Sequence, residues 1–219
     1  MLEFNITGEV GGLEIKAVGS VEGGQCLAVT GPSGCGKTSL LRMLAGLSRP
    51  SSGRISITGG DPWFDSETGA QVRTEDRGIG FVFQDLNLFP RMTVLRNLGA
   101  APERAADLLE AVGLSDRAGS RPANLSGGEA QRAAIARALA QMPDVLLLDE
   151  PFAALDDQTA DQCIELVRLQ IAANAIPTVM VAHDLRTAQA MGCESALRLG
   201  ITGIATMVPL AEAFTAPSH

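Results

Sequence analysis

Hydrophobic and polar positions change period several times along the chain, and the changes divide it into elements. "LEFNIT" and "GLEIKAV" near the N-terminus alternate with period two, as half-buried antiparallel strands do, and predict a small side sheet. Five short runs follow at intervals: "QCLAVT" (Gln25 to Thr30), "RISIT" (Arg54 to Thr58), "IGFVF" (Ile79 to Phe83), "VLLLD" (Val145 to Asp149) and "TVMVA" (Thr178 to Ala182). Their alternation with helical patterns predicts an α/β fold around a mainly parallel, buried sheet. Between Asp85 and Gln141 the β signal disappears, and segments such as "PERAADLLEAVG" carry a helical period instead. That stretch reads as a helical insert. No internal repeat, low-complexity tract or long linker interrupts the pattern, and "SRPSSG" (Ser48 to Gly53) is an ordinary loop.

Composition narrows the function classes. At 219 residues and 46 % hydrophobic content the chain can build a packed core on its own. A formal net charge of −8 opposes binding that depends on neutralising many nucleic-acid phosphates. Cys26, Cys35, Cys163 and Cys193 show no paired spacing, and only two histidines are present, so neither a disulfide framework nor a zinc site is expected. A reducing cytosol fits this usage. "MLEFNITGEV" lacks the order of a signal peptide and no run reaches 18 apolar residues, so the chain is not expected to cross a membrane.

Three stretches carry candidate chemistry. "GPSGCGKT", Gly31 to Thr38, matches GxxxxGK[ST] between an apolar strand and the helical "SLLRMLAG". Its glycines let successive N–H groups face phosphate oxygens at a helix N-terminus, Lys37 reaches the β- and γ-phosphates, and the Thr38 hydroxyl ligates Mg²⁺. A plain strand-to-helix turn would have no need of the Lys-Thr pair. Cys35 is expected to be a small filler. "VLLLDEP" ends an apolar strand in two carboxylates, at the edge where parallel sheets bind ligands. Acids can simply meet solvent there, but beside a phosphate loop Asp149 is placed for the Mg²⁺ shell and Glu150 to orient or deprotonate water. In "NLSGGEAQR", Ser126 and Glu129 form a capping box, with Leu125 and Ala130 at staple positions and a helix from Gly127 towards Met142. The cap does not account for Gly127 and Gly128, each of which costs about 1 kcal/mol against alanine in a helix. They leave a helix N-terminus bare for an anion, a second phosphate-facing surface.

"GPSGCGKT", "GFVFQDLNLFP", "LSGGEAQR", "LLLDEPFAALD" and "VAHD", in that order from about Gly24 to Asp184, resemble the motif set of the ATP-binding cassette ATPases. The resemblance implies a P-loop NTPase core with an N-terminal antiparallel β subdomain and an inserted α-helical subdomain. It also implies one cassette domain over 1–219, with the core at about 1–84 and 143–219 and the helical part at about 85–142. Cofactors would be ATP and Mg²⁺. Phosphate contacts would come from Gly31, Pro32, Ser33, Gly34, Cys35, Gly36, Lys37, Thr38 and Ser39. Thr38, Gln84 and Asp149 would form the Mg²⁺ shell, and Glu150, His183 and Gln84 the catalytic set. Leu125, Ser126, Gly127, Gly128 and Glu129 would face the γ-phosphate held by a second subunit, with Asp156 crossing the seam, so two copies would pack head to tail around two ATP.

Among these ATPases the chain resembles importer subunits, which sit on the cytoplasmic face of the membrane. The resemblance implies an integral membrane permease as partner, indirectly a solute-binding protein, and no nucleic acid. Leu88, Phe89 and Pro90 either form an exposed surface that receives a coupling helix of the permease or belong to the core of the helical insert. "FQDLNLFP" preceded by "DPWFDSETG" is most similar to molybdate/tungstate ATPases, with thiamine-type and other small-solute ATPases close behind; a soluble, non-transport cassette would share the same five motifs. Many molybdate ATPases add a C-terminal oxyanion-sensing domain, and with the chain ending soon after "PLAEAFTAPSH" no such regulation is expected. The family usually stacks adenine on an N-terminal aromatic ring. Here Leu13 stands in that neighbourhood and the chain has no tyrosine, so either base selectivity is reduced or Phe4 substitutes.

Overall fold

A computed structural model describes residues 1–215; the last four residues of "PLAEAFTAPSH" lie outside the described residues. Strands β1 (Leu2–Val10), β2 (Leu13–Val21), β4 (Ser52–Ile57), β5 (Phe64–Asp65) and β6 (Ala70–Gln71) form an antiparallel sheet in the order β2-β1-β4-β5-β6. The second sheet has the order β11-β10-β3-β9-β8-β7. It comprises β3 (Cys26–Thr30), β7 (Ile79–Val82), β8 (Val145–Asp149), β9 (Thr178–Val181), β10 (Ser195–Leu199) and β11 (Ala205–Pro209). All its pairs are parallel except β10 with β11. The mixed α/β architecture with an N-terminal antiparallel sheet is the expected one.

"RISIT" corrects the reading at one point. It belongs to β4, antiparallel to β1 with Phe4 opposite Ile55, and not to the parallel sheet. In β4 only Ile55 is buried, whereas β3, β8 and β9 are buried at every position. One-sided burial is the mark of a sheet with a single covered face.

Alternation along the central strands divides the core in two. Ala28, Leu146, Leu148 and Met180 face one apolar cluster, which includes helices α2 (Val94–Leu98), α3 (Pro102–Ala111), α4 (Gly127–Ala140) and α5 (Asp157–Ala173). Leu27, Val29, Leu147 and Val179 face the other, which includes α1 (Lys37–Ala45) and the covered face of the antiparallel sheet. Chain order completes the set with α6 (Leu185–Ala190) after β9 and α7 (Leu210–Ala213) after β11.

Between β7 and β8 the described residues form helices and three-residue 3₁₀ turns only. Alanines dominate the buried face of α4, and the helix lies so close to β7 that a Cβ at Gly80 would stand 2.3 Å from the Ala138 carbonyl oxygen. The helix stops at Ala140, short of the expected Met142, which takes a left-handed φ of 50°. Parallel order puts the C-terminal ends of β3, β7, β8 and β9 at one edge, and the loops leaving that edge carry the candidate site.

Candidate nucleotide-binding site

The loop from Gly31 to Gly36 leaves β3 and enters α1 through three left-handed glycines, Gly31, Gly34 and Gly36. Gly31 is obligatory for space as well as for angle, since a Cβ there would lie 2.4 Å from the Leu199 carbonyl oxygen. Helix α1 has no side-chain cap, so its first N–H groups are left to whatever occupies the loop. Lys37 arches back and donates from Nζ to the carbonyl oxygens of Gly31 and Pro32, both at 2.9 Å. The Lys37 side chain is largely buried, and these bonds draw its ammonium over the loop. Cys35 is buried with its Sγ against Gly31, which fits a filler.

Asp149 closes β8 almost completely buried, and its Oδ1 has no hydrogen-bond partner. Burial pushes its carboxyl above the usual range and the negative charge of Glu150 adds to the effect, while a hydrogen bond from Thr38 and the charges of Arg42 and Lys37 oppose it. Among the described residues no cluster of three His, Cys, Asp or Glu side chains could cage a metal. One buried carboxylate with a free oxygen beside a threonine hydroxyl suits Mg²⁺ that arrives with phosphate and water ligands of its own.

Glu150 follows in a left-handed conformation, φ 53°. Its carbonyl oxygen accepts from Gln131 Nε2 at 3.1 Å and from the Ala153 N–H at 3.3 Å, and its Oε1 lies 2.5 Å from His183 Nε2. His183 is delivered by β9, where the Ala182 N–H donates to the Val29 carbonyl. The adjoining Asp184 caps α6 through Thr187. Gln84 is exposed in a turn that the Leu86 N–H closes onto the Phe83 carbonyl at 2.9 Å. β7 neighbours β8, so Gln84 leaves the same sheet edge as Asp149.

At the start of α4 the capping box is complete: Ser126 accepts from the Glu129 N–H, and the Glu129 carboxylate accepts from the Ser126 N–H at 2.7 Å. Arg117 pairs with Glu129 at 2.8 Å. That backbone N–H, with Arg117 second, pulls the Glu129 carboxyl down from 4.5 to about 2. Asp156 serves as the N-cap of α5, its Oδ1 accepting from the Thr159 N–H at 3.0 Å. No hydrogen bond among the described residues joins 125–129 to 31–39, although Gln131 ties α4 to Glu150's loop.

Residues 17–153 match the ABC transporter family. The chain belongs to the ABC transporter family. Relatives agree: it is 41 % identical over 188 residues to a probable sulfate/thiosulfate import ATP-binding protein of Chlorella vulgaris, covering 81 % of this chain and 77 % of that one. To the molybdenum import ATP-binding protein of Mycobacterium tuberculosis it is 39 % identical over 213 residues, 90 % of this chain but 57 % of that longer one. Others are named for Fe(3+) ions, an amino acid and lipoprotein release. The dimeric structure of MJ0796, a bacterial ABC transporter cassette, superposes with TM-score 0.80 at 30 % identity, covering 96 % of this chain and 99 % of that chain. The chain is thus an ABC ATPase cassette of P-loop NTPase fold.

Within the cassette, Phe4 is not a base-stacking ring. It is buried and turned onto Gly19 of the neighbouring strand, where an added Cβ would sit 2.6 Å from its ring. Leu13 is half-buried, 3.8 Å from a Cβ built on Gly36, so the side chain at that end of the loop is aliphatic. Of the apolar trio, Phe89 and Pro90 are exposed while Leu88 packs partly on the helical cluster. Phe89 lines a cavity of about 520 Å³ together with Phe81, Phe83, Asn97, Arg137 and Gln141. Two side chains that the motif reading gave no role hold loops in place: Gln131, within "LSGGEAQR", on Glu150, and Arg137 on the carbonyls of Leu86 and Asn87. The signal for both was a long polar side chain set among the alanines of α4.

Proposed function

We propose that the cassette is the ATP-hydrolysing subunit of an importer and works as a head-to-tail pair around two Mg-ATP. The observation that carries this reading is the room around Gly127 and Gly128. A Cβ at Gly127 would touch nothing within 4 Å, and one at Gly128 would make only ordinary contacts at 3.4 and 3.5 Å. Neither glycine needs a left-handed angle, so the chain's own fold has no use for them. A surface kept bare at a capped helix start serves a ligand from outside, here the γ-phosphate on the Gly31–Ser39 loop of a second copy. Residues Leu125 to Glu129 would face it, and Asp156 would cross the seam. The dimeric form of the similar bacterial cassette supports this arrangement.

In each composite site Lys37 would exchange its two loop carbonyls for phosphate oxygens. Thr38, Asp149 and Gln84 would hold Mg²⁺, which would supply neutralisation of phosphate charge. Glu150 would accept a proton from the attacking water, and His183, already at its carboxylate, would hold water and γ-phosphate in line. The α/β core would span about 1–84 and 143–219, and 85–142 would move as a helical subdomain. The groove lined by Phe81, Phe89 and Arg137 would take a short helix of a membrane permease on the cytoplasmic face. Molybdate-like oxyanion uptake is the favoured cargo, supported by a molybdenum import relative that matches 90 % of the chain and a sulfate/thiosulfate relative. The net charge of −8 weighs against a cassette of DNA maintenance.

Light scattering on Glu150→Gln tests the composite site: a dimer is expected with Mg-ATP, and a monomer at saturating Mg-ATP would overturn it. Capture of the permease from native membranes, then titration of its binding protein with molybdate and sulfate, tests the cargo. Absence of binding to both sinks the oxyanion reading.

A further inference from the structure

Arg137 lies ten residues beyond Gly127 on α4, about 15 Å along the helix from the signature glycines. Its guanidinium is spread as a fork over the backbone that follows Gln84. Nη1 donates to the Asn87 carbonyl oxygen at 2.6 Å and Nη2 to that of Leu86 at 2.9 Å. The cation also covers the Phe89 ring, 5.7 Å from its centroid, and has no carboxylate partner among the described residues. Leu86 and Asn87 are both left-handed, φ 59° and 46°, a conformation that non-glycine residues hold only when their surroundings enforce it. A second clamp stands downstream. Buried Asn97 accepts from the Phe89 N–H at 2.7 Å and donates to the carbonyls of Phe89, Met92 and Thr93.

Gln84 is therefore presented on a very short span, fixed on one side by β7 and on the other by Arg137. It is not free to move apart from α4. The same helix begins with Ser126, Gly127 and Gly128 and holds the Glu150 carbonyl through Gln131. We propose that Arg137 is a positioning residue: from the signature helix it fixes the turn on which Gln84 is offered to the nucleotide, so that a displacement of α4 is passed on to Gln84. The proposal rests on the ATPase reading above.

Arg137→Lys keeps the charge but offers a single nitrogen on a shorter side chain in place of the planar two-pronged fork. Amide exchange on the nucleotide-free cassette is expected to rise about tenfold at Leu86 to Phe89 while β8 amides keep their protection. Unchanged exchange at Leu86 to Phe89 overturns the clamp. In steady-state Mg-ATP turnover, Arg137→Lys is expected to lower kcat about tenfold with KM for ATP within about twofold. Repeated in a Gln84→Ala background, it should lower kcat by less than about twofold. An equal loss in both backgrounds means that Arg137 does not act through Gln84, and overturns the proposal. If the lysine variant loses its cooperative thermal transition, Arg137→Met, which keeps the apolar stem, replaces it. If the unmodified cassette hydrolyses no ATP, the ATPase reading falls, and the exchange measurement still decides the clamp.

Discussion

Replacing Gln131 by leucine separates what holds Glu150 from what the carboxylate itself does. Gln131 is buried, its Nε2 is 3.1 Å from the Glu150 carbonyl oxygen, and leucine, one atom shorter but of comparable volume, removes the donor without opening a large cavity. The carbonyl keeps the Ala153 N–H at 3.3 Å, so it is weakened and not orphaned. The loss of stability then falls at the low end of the range for a removed hydrogen bond, about 1 kcal/mol, or about 2–4 °C in thermal midpoint for a chain of this size. The effect on turnover is expected to be larger. Glu150 holds a left-handed φ of 53°, a conformation costing about 1–3 kcal/mol, and the Gln131 bond is one of two that hold its carbonyl in place. Once released, the peptide relaxes and swings the carboxylate away from His183. General-base placement is worth about 10²- to 10⁴-fold in rate, and a productive population reduced to about a tenth to a hundredth should lower kcat by about 10- to 100-fold with KM for ATP unchanged. Calorimetry and steady-state kinetics on the same preparation test this. A midpoint lowered by a few degrees with kcat within about twofold of wild type would show that Gln131 supports the fold and not the pose of Glu150.

Gly127→Ala and Gly128→Ala should leave the thermal midpoint unchanged or raise it, since alanine gains up to about 1 kcal/mol in a helix, yet lower Mg-ATP turnover more than about tenfold; undiminished turnover would refute the role given to the bare helix start. Arg77 is buried and donates to the carbonyls of Leu44 at 2.8 Å, Val72 at 3.1 Å and Trp63 at 3.3 Å, tying the end of α1 to the antiparallel sheet. Arg77→Met leaves the first two without this donor and should cost about 2–3 kcal/mol, about 5–10 °C in midpoint, with a shift below about 2 °C counting against it. The Glu129 carboxyl is lowered in the folded state from 4.5 to about 2, so its contribution to stability is complete above 4.5 and fades as pH falls towards about 2. The stability gap between wild type and Glu129→Gln, followed by denaturant titration, should be constant from pH 7 to 5 and narrow below; a gap independent of pH down to the acid transition would refute the pairing.

What the sequence disclosed divides by the kind of partner each residue has. The Gly31–Thr38 loop and the Asp149-Glu150 strand end were legible because their chemistry is assembled from consecutive residues, and the capping box at Ser126 because both its halves lie within one helical turn. "RISIT" was placed in the wrong sheet because five residues cannot show whether one face or two are covered, which only the neighbours of β4 decide. β10 and β11 gave no signal. The first carries Arg198 within it and the second ends in Pro209, so their strand character comes from pairing with β3 and with each other. The Glu150–His183 contact joins two residues that the motifs supplied separately, brought together by the adjacency of β8 and β9. Gln131 and Arg137 were illegible for a deeper reason. Their partners, 19 and 50 residues away, are backbone carbonyls, and a carbonyl has the same chemistry whatever side chain stands beside it. A clamp of that kind leaves a mark only on the donor, and on an alanine-rich helix that mark is one buried amide or one guanidinium on the wrong face. The coupling between signature helix, Gln84 turn and Glu150 therefore becomes visible only when the distances between elements are known.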